Sequence, residues 1–124
     1  MLLQYVCCHT KLNHSEFQLL DITNEKEVRN IIKKVKPDVI IDTAAMTQVD
    51  QCETDRDACW LANATSVEYL IEACTETGAR LIHISSDFIF DGTEGPLKES
   101  AIPKPVNYYG ESKLAAEVAI QKSK

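Results

Sequence analysis

The chain has 124 residues, 13 Lys and Arg against 19 Asp and Glu, a formal net charge of −6, and 44% hydrophobic and 26% charged residues. That balance excludes a disordered chain, and no apolar run approaches the roughly 20 residues that a bilayer crossing needs. The acidic excess argues against a nucleic-acid module, because affinity for phosphate backbones comes from clustered Lys and Arg. The length is that of one domain or of part of a larger one.

Phe17-Gln-Leu-Leu-Asp21 reads as a short strand ending in an acid. Thr23 can cap the helix that follows, with Glu25 and Glu27 in its first turn, where the helix dipole favours negative charge. Val28, Ile31, Ile32 and Val35 recur at i, i+3, i+4 and i+7, and Pro37 stops the helix. The basic run Lys33-Lys34-Val35-Lys36 is then a solvated face. Asp38-Val-Ile-Ile-Asp-Thr43 is a β-branched run suited to a strand covered on both faces. Asp50, Glu53 and Asp55 read as a solvated acidic turn, since calcium loops need a tighter ligand pattern. A long helix is predicted from about Asp55 to Thr77, with Trp60, Leu61, Ala64, Val67, Leu70, Ile71 and Cys74 as its apolar stripe and Gly78 at its end. Ala79-Arg-Leu-Ile-His-Ile-Ser85 is a second buried strand, with His83 packed and hydrogen-bonded inside it. A loop from Asp91 to Asn107 holds three of the four prolines and two of the four glycines. Tyr109 to Lys122 is the last helix, with Leu114, Ala115 and Val118 inward.

The order β-α-β-α-β-loop-α predicts an α/β fold: a parallel sheet with right-handed crossovers and helices on both faces. Ligands of such sheets bind beyond the carboxyl ends of the strands. Asp21-Ile22, Thr43 to Thr47 and Ser85 to Asp87 fall there, each rich in small or polar residues where an apolar run stops. The five cysteines, Cys7, Cys8, Cys52, Cys59 and Cys74, form no Cys-x-x-Cys pair, and His9, His14 and His83 lie at no zinc-ligand spacing from them. No metal site is expected, and reduced, buried thiols in a cytoplasmic protein are. The opening Met1-Leu-Leu-Gln-Tyr-Val-Cys-Cys8 is too short an apolar stretch for a signal peptide.

Tyr109-Gly-Glu-Ser-Lys113 sets a phenol and an ammonium four residues apart, on one helix face. A free phenol titrates near about 10, and a cation one turn away lowers that value, making the pair a usable general acid. Ser86, at a strand end, can supply a hydroxyl to hold a substrate carbonyl.

Four stretches set this pair in context: Pro37 to Glu53, Asn63-Ala-Thr-Ser-Val67, His83-Ile-Ser-Ser-Asp-Phe-Ile-Phe-Asp-Gly-Thr93, and Pro105 to Glu117. In order and spacing they resemble the dTDP-4-dehydrorhamnose reductases of the extended short-chain dehydrogenase/reductase family, from about Leu20 to the end of the chain. The resemblance implies a partial Rossmann-type, doubly wound parallel sheet that binds NADPH or NADH, with residues 1–19 unmatched. It implies reduction of the 4-keto group of dTDP-4-dehydro-L-rhamnose. Tyr109 would be the proton donor, Lys113 its partner and a cofactor ligand, and Ser86 the group that polarises the keto oxygen, with Asp87 beside it on the nucleotide sugar. Asp21 and Ile22 would border the adenine, and Ala45, Met46 and Thr47 the cofactor's ribose and phosphates. Asn63 matches an architectural asparagine.

The chain departs from its relatives at Ser86 (usually Thr), Phe88 (Tyr), Asp42 (Asn) and Met46 (aromatic or His), and Asp42 puts a negative charge near a phosphate-bearing ligand. Residues 1–16 contain no glycine, so the family's Gly-rich phosphate loop is missing, and the chain stops at Lys124 soon after the Tyr-x-x-x-Lys helix. The expectation is the middle of a reductase, poorly stable alone. The resemblance admits a homodimer, with neither nucleic acid nor membrane as partner. It also admits a non-catalytic module like the regulatory subunit of methionine adenosyltransferase.

Overall fold

A computed structural model describes residues 19–123. Helix α1 spans Glu25–Val35, strand β1 Val39–Asp42 and helix α2 Val49–Thr54. Helix α3 (Arg56–Trp60), a π-helical turn (Leu61–Thr65) and helix α4 (Ser66–Thr77) run on continuously. Strand β2 (Arg80–His83), a 3-10 turn (Asp87–Ile89) and helix α5 (Tyr108–Lys122) complete the order. β1 and β2 pair in parallel, Val39 opposite Arg80 through Asp42 opposite His83, so this is an α/β fold built on a parallel sheet.

Period-2 alternation puts Ile40, Asp42, Leu81 and His83 on one sheet face. Ile40 and Leu81 pack there against Val28 and Ile32 of α1 and Leu70 and Ala73 of α4, with Leu20 and Ile22 closing the core. Lys113 of α5 reaches the same face through His83. The helices expected on both faces therefore lie on one side among the described residues. Val39, Ile41, Ile82 and Ile84 are exposed on the other, Ile41 by 64%. Among the described residues, the continuous apolar runs are thus covered on one face of these strands and not on two.

Phe17 and Gln18 of the first expected strand lie outside the described residues, as do Cys7, Cys8, His9 and His14. Leu19–Asp21 is not a strand: the Asp21 N–H bonds the Glu27 carboxylate and its carbonyl accepts the Asn24 N–H, so neither enters a ladder. Asn24, not Thr23, caps α1, accepting the Glu27 N–H. Thr23 is held instead by the Asp21 carboxylate, through its own N–H (2.9 Å) and hydroxyl (2.6 Å). The helix closes at Lys36, whose φ of 49° is left-handed, one residue before Pro37.

The acidic turn is helix α2. Glu53 there accepts the Tyr108 N–H at 2.7 Å and pairs with Arg56, tying α2 to the start of α5. The long helix begins at Arg56 and contains the π-helical turn, where the Ser66 hydroxyl donates back to the Ala62 carbonyl at 2.7 Å. The extra residue per turn rotates the stripe. Ala64, Val67, Leu70 and Cys74 are buried, whereas Trp60 and Leu61 turn outward and Trp60 leans on Tyr108, 5.9 Å between ring centroids. Gly78, at φ 78°, ends the helix as expected. The inward face of α5 is Tyr109, Ser112, Lys113 and Ala116, not Leu114, Ala115 and Val118. Its buried polar groups have partners on the sheet and on the π turn, and those partners set the helix rotation. Cys52, Cys59 and Cys74 are free and buried. Desolvation beside Cys59 pushes the Cys52 thiol up to about 12, which makes it inert.

Candidate active site

The carboxyl ends of β1 and β2 and the first turn of α5 meet at one place. Asn107 caps α5, its side chain accepting the Gly110 N–H at 2.8 Å, so the helix starts abruptly at Tyr108. Gly110 rides against the 3-10 turn so closely that a Cβ there would lie 2.2 Å from the Phe88 carbonyl oxygen. This contact needs a residue without a side chain, and it fixes how Tyr109 approaches the turn. Tyr109 is buried, its ring edge-on to Phe88 at 5.6 Å. Ser86 caps that same turn, its hydroxyl accepting the Phe88 N–H at 3.2 Å and donating to the Asp87 carboxylate at 3.3 Å. Phe88 and Asp87 are exposed.

One helical turn beyond Tyr109, Lys113 is 2% exposed. Its ammonium donates to the Ile84 carbonyl at 2.8 Å, and its Nζ lies 2.9 Å from His83 Nε2. His83 Nδ1 in turn lies 2.7 Å from Asp42 Oδ2. Burial pushes the Lys113 pKa down, opposed by the carboxylates of Asp42 and Glu117. Tyr109 and Ser86 thus each touch Phe88, and Lys113 bonds the Ile84 carbonyl just beyond β2. Between them Ser85 holds a buried hydroxyl with no partner among the described residues.

The other predicted residues form the adjoining edge. Asp42 Oδ1 accepts the Ala44 N–H at 3.1 Å, so both its oxygens are engaged within the protein. Asn63, fully buried on the π turn, takes the Met46 N–H at 2.7 Å and gives to the Met46 carbonyl at 3.0 Å. It also donates to Ser112 Oγ at 3.0 Å, and Ser112 donates to the Tyr109 carbonyl at 2.7 Å. One amide side chain therefore ties the loop after β1 to the turn that carries Tyr109, an architectural part in keeping with its expected role. Ala45 and Met46 are half-buried and Thr47 is exposed. Asp21 is exposed, and its bonds to Thr23 hold its carboxyl below the usual range. Ile22 is buried in the core with α1 and α4.

Sequence reading did not find the link from Asp42 through His83 to Lys113, nor the part played by Gly110. The usable signal for the link was a polar residue at the carboxyl end of each of two apolar runs. In adjacent parallel strands those ends lie side by side.

The family model of the RmlD substrate binding domain matches residues 4–124. The dTDP-4-dehydrorhamnose reductase of Salmonella typhimurium is 43% identical over 109 residues, 87% of this chain and 36% of that protein. Methionine adenosyltransferase 2 subunit beta of Xenopus laevis is 39% identical over 104 residues, 84% of this chain and 31% of that one. The crystal structure of dTDP-4-dehydrorhamnose reductase from Bacillus anthracis in complex with NADP superposes with a TM-score of 0.80 at 35% identity, covering 90% of this chain and 43% of that chain. The chain thus spans about a third of the length of these curated relatives. By the match of its family model to nearly the whole sequence, the chain belongs to the RmlD substrate binding domain family.

Proposed function

We propose that this chain is a partial NAD(P)-binding domain, residues 1–124, carrying the catalytic Tyr109, Lys113 and Ser86 of a ketoreductase that reduces the 4-keto group of dTDP-4-dehydro-L-rhamnose. The observation that carries the proposal is the close seating of Gly110 on the Phe88 carbonyl, which brings the first turn of α5 against the turn capped by Ser86. NADPH or NADH is the cofactor, by likeness to the NADP complex of the Bacillus anthracis enzyme. The residues present fit such a group. The loop after β1 offers small Ala44 and Ala45 with its backbone already fixed by Asn63, and Ser85 keeps a buried hydroxyl with unused capacity. The buried, free thiols of Cys52, Cys59 and Cys74 support a cytoplasmic setting.

Reduction adds a hydride to the carbonyl carbon and a proton to its oxygen, and the nicotinamide supplies the hydride when bound. Tyr109 donates the proton from its phenol, and Ser86 polarises the same oxygen by a hydrogen bond. The Lys113 charge stabilises the phenolate left on Tyr109. An ammonium has three N–H groups; with Ile84 and His83 occupying two, one remains for the cofactor's ribose. Ala45, Met46, Thr47, Asp21 and Ile22 would border the cofactor, and Asp87 would touch the sugar.

The assay follows NADPH oxidation with a dTDP-4-keto sugar, in the wild type and in Tyr109→Phe. Loss of about 10²-fold or more in kcat with cofactor binding retained is expected from removing a general acid. Equal turnover in the variant removes Tyr109 from the mechanism. The 39% identity to methionine adenosyltransferase 2 subunit beta favours a second reading, a non-catalytic regulatory module. Stable association with a methionine adenosyltransferase, without ketoreduction, would select it.

A further inference from the structure

Lys113 sits at the end of a buried line of three ionisable groups, and two of them have no part in the chemistry above. Asp42 ends β1, His83 ends β2, and the strand register puts them side by side. Their side chains are 3% and 2% exposed. Such groups are costly to bury unless each is paired, and here each is.

We propose that Asp42 and His83 are positioning residues for Lys113: the carboxylate holds His83 as the neutral Nδ1–H tautomer, and its bare Nε2 receives an N–H from the Lys113 ammonium. The consequence for catalysis rests on the ketoreductase reading; the tautomer does not. Oδ1 of Asp42 is engaged by the Ala44 N–H, so Oδ2 faces His83 Nδ1 at 2.7 Å. A carboxylate only accepts, so the hydrogen between them is on Nδ1. An imidazolium would aim its second N–H at an ammonium 2.9 Å away, donor against donor and cation against cation. Nε2 is therefore bare. The Ile84 carbonyl takes a second N–H at 2.8 Å, and two fixed bonds leave the third N–H of Lys113 one direction in which to act. The charged groups facing Lys113 are Asp42 from β1, across the neutral ring of His83 on β2, and Glu117 from its own helix. Both carboxylates oppose, without outweighing, the downward pull of burial on Lys113.

The decisive variant is Asp42→Asn. Its amide oxygen must stay on the Ala44 N–H, so its NH₂ faces Nδ1 and drives His83 into the Nε2–H tautomer, which then opposes the ammonium. Imidazole nitrogen shifts, read by long-range ¹⁵N–¹H correlation, are expected to show Nδ1 protonated and Nε2 bare in the wild type, and the reverse in Asp42→Asn. The ¹⁵N titration midpoint of Lys113 should fall by about one unit, tenfold in its proton equilibrium. A protonated Nε2 in wild-type His83, or an unmoved Lys113 midpoint in folded Asp42→Asn, overturns the proposal. The tautomer is read from the wild type alone, so the test survives a variant that does not fold. Both readouts come from the chain's own side chains, so a failure of ketoreduction is a separate result.

Discussion

Replacing Gly110 with alanine tests whether the seating of α5 on the 3-10 turn builds the site. The new Cβ would meet the Phe88 carbonyl oxygen at 2.2 Å and the Pro105 Cβ at 3.0 Å, where ordinary contact begins at 3.4 Å. The first obstacle is backbone and cannot swing aside, so α5 must withdraw by about 1 Å, in keeping with the shifts that overpacking forces. Overpacking of this kind costs about 1–3 kcal/mol, and the better helix propensity of alanine returns about 1 kcal/mol. The withdrawal also stretches the Asn107 cap on the Gly110 N–H, now 2.8 Å. A net loss of up to about 2 kcal/mol follows, which lowers the melting temperature of a domain of this size by up to about 10 °C. The effect on chemistry is larger, because a displacement of about 1 Å between reacting groups costs on the order of 10²-fold in rate. Thermal melting and NADPH oxidation are measured together, with Gln121→Ala, exposed on the last turn of the same helix, as the control. A Gly110→Ala chain that melts and turns over like the wild type would refute the reasoning, because the close approach would then position nothing.

Asn63→Ala removes both bonds to Met46 and the donor to Ser112 and leaves buried partners unpaired. A loss of about 3 kcal/mol by urea denaturation is expected, with faster hydrogen exchange at the Met46 amide than at helix-interior amides such as Leu70. Unchanged protection at Met46 would mean that the loop after β1 is held by something else. Acid should weaken the fold in a defined direction. Asp21, Glu53, Glu76 and Asp91 are all held below their ordinary values by hydrogen bonds, chiefly from Thr23, the Tyr108 N–H, Lys33 and Thr93 respectively. Between the ordinary and the lowered values the unfolded chain binds more protons, so this stabilisation is complete above the ordinary values of 3.8 and 4.5 and is lost as pH falls through the folded ones. Urea midpoints from pH 7 to pH 3 read it. Glu53→Gln should shrink the fall, and a midpoint independent of pH would contradict the pairing.

How much of this was legible in the sequence depends on which force placed each residue. Where apolar burial decides, the sequence reads well. Val28 and Ile32 face the core of α1, Val67, Leu70 and Cys74 face inward on α4, and Gly78 ends that helix, each at the expected place. Where a polar partner distant in sequence decides, periodicity misleads. On α5 the apolar spacing of Leu114, Ala115 and Val118 pointed to one inward face, but Ser112 and Lys113 are the buried ones. Their partners, Asn63 and His83, lie 49 and 30 residues away. A buried hydroxyl or ammonium without a partner costs more than an exposed valine, so the helix turns to satisfy the polar groups and leaves Val118 at the surface. The π turn acts in the same way. It rotates Trp60 and Leu61 outward and presents Asn63 to the Met46 backbone, a rotation that no count of apolar residues contains. The site is therefore built from the residues for which local pattern and tertiary partner disagree. Tyr109, Lys113 and Ser86 were legible as a candidate set, whereas the contacts that seat their elements, Gly110 on a carbonyl and Asn63 between loop and helix, became visible only in three dimensions.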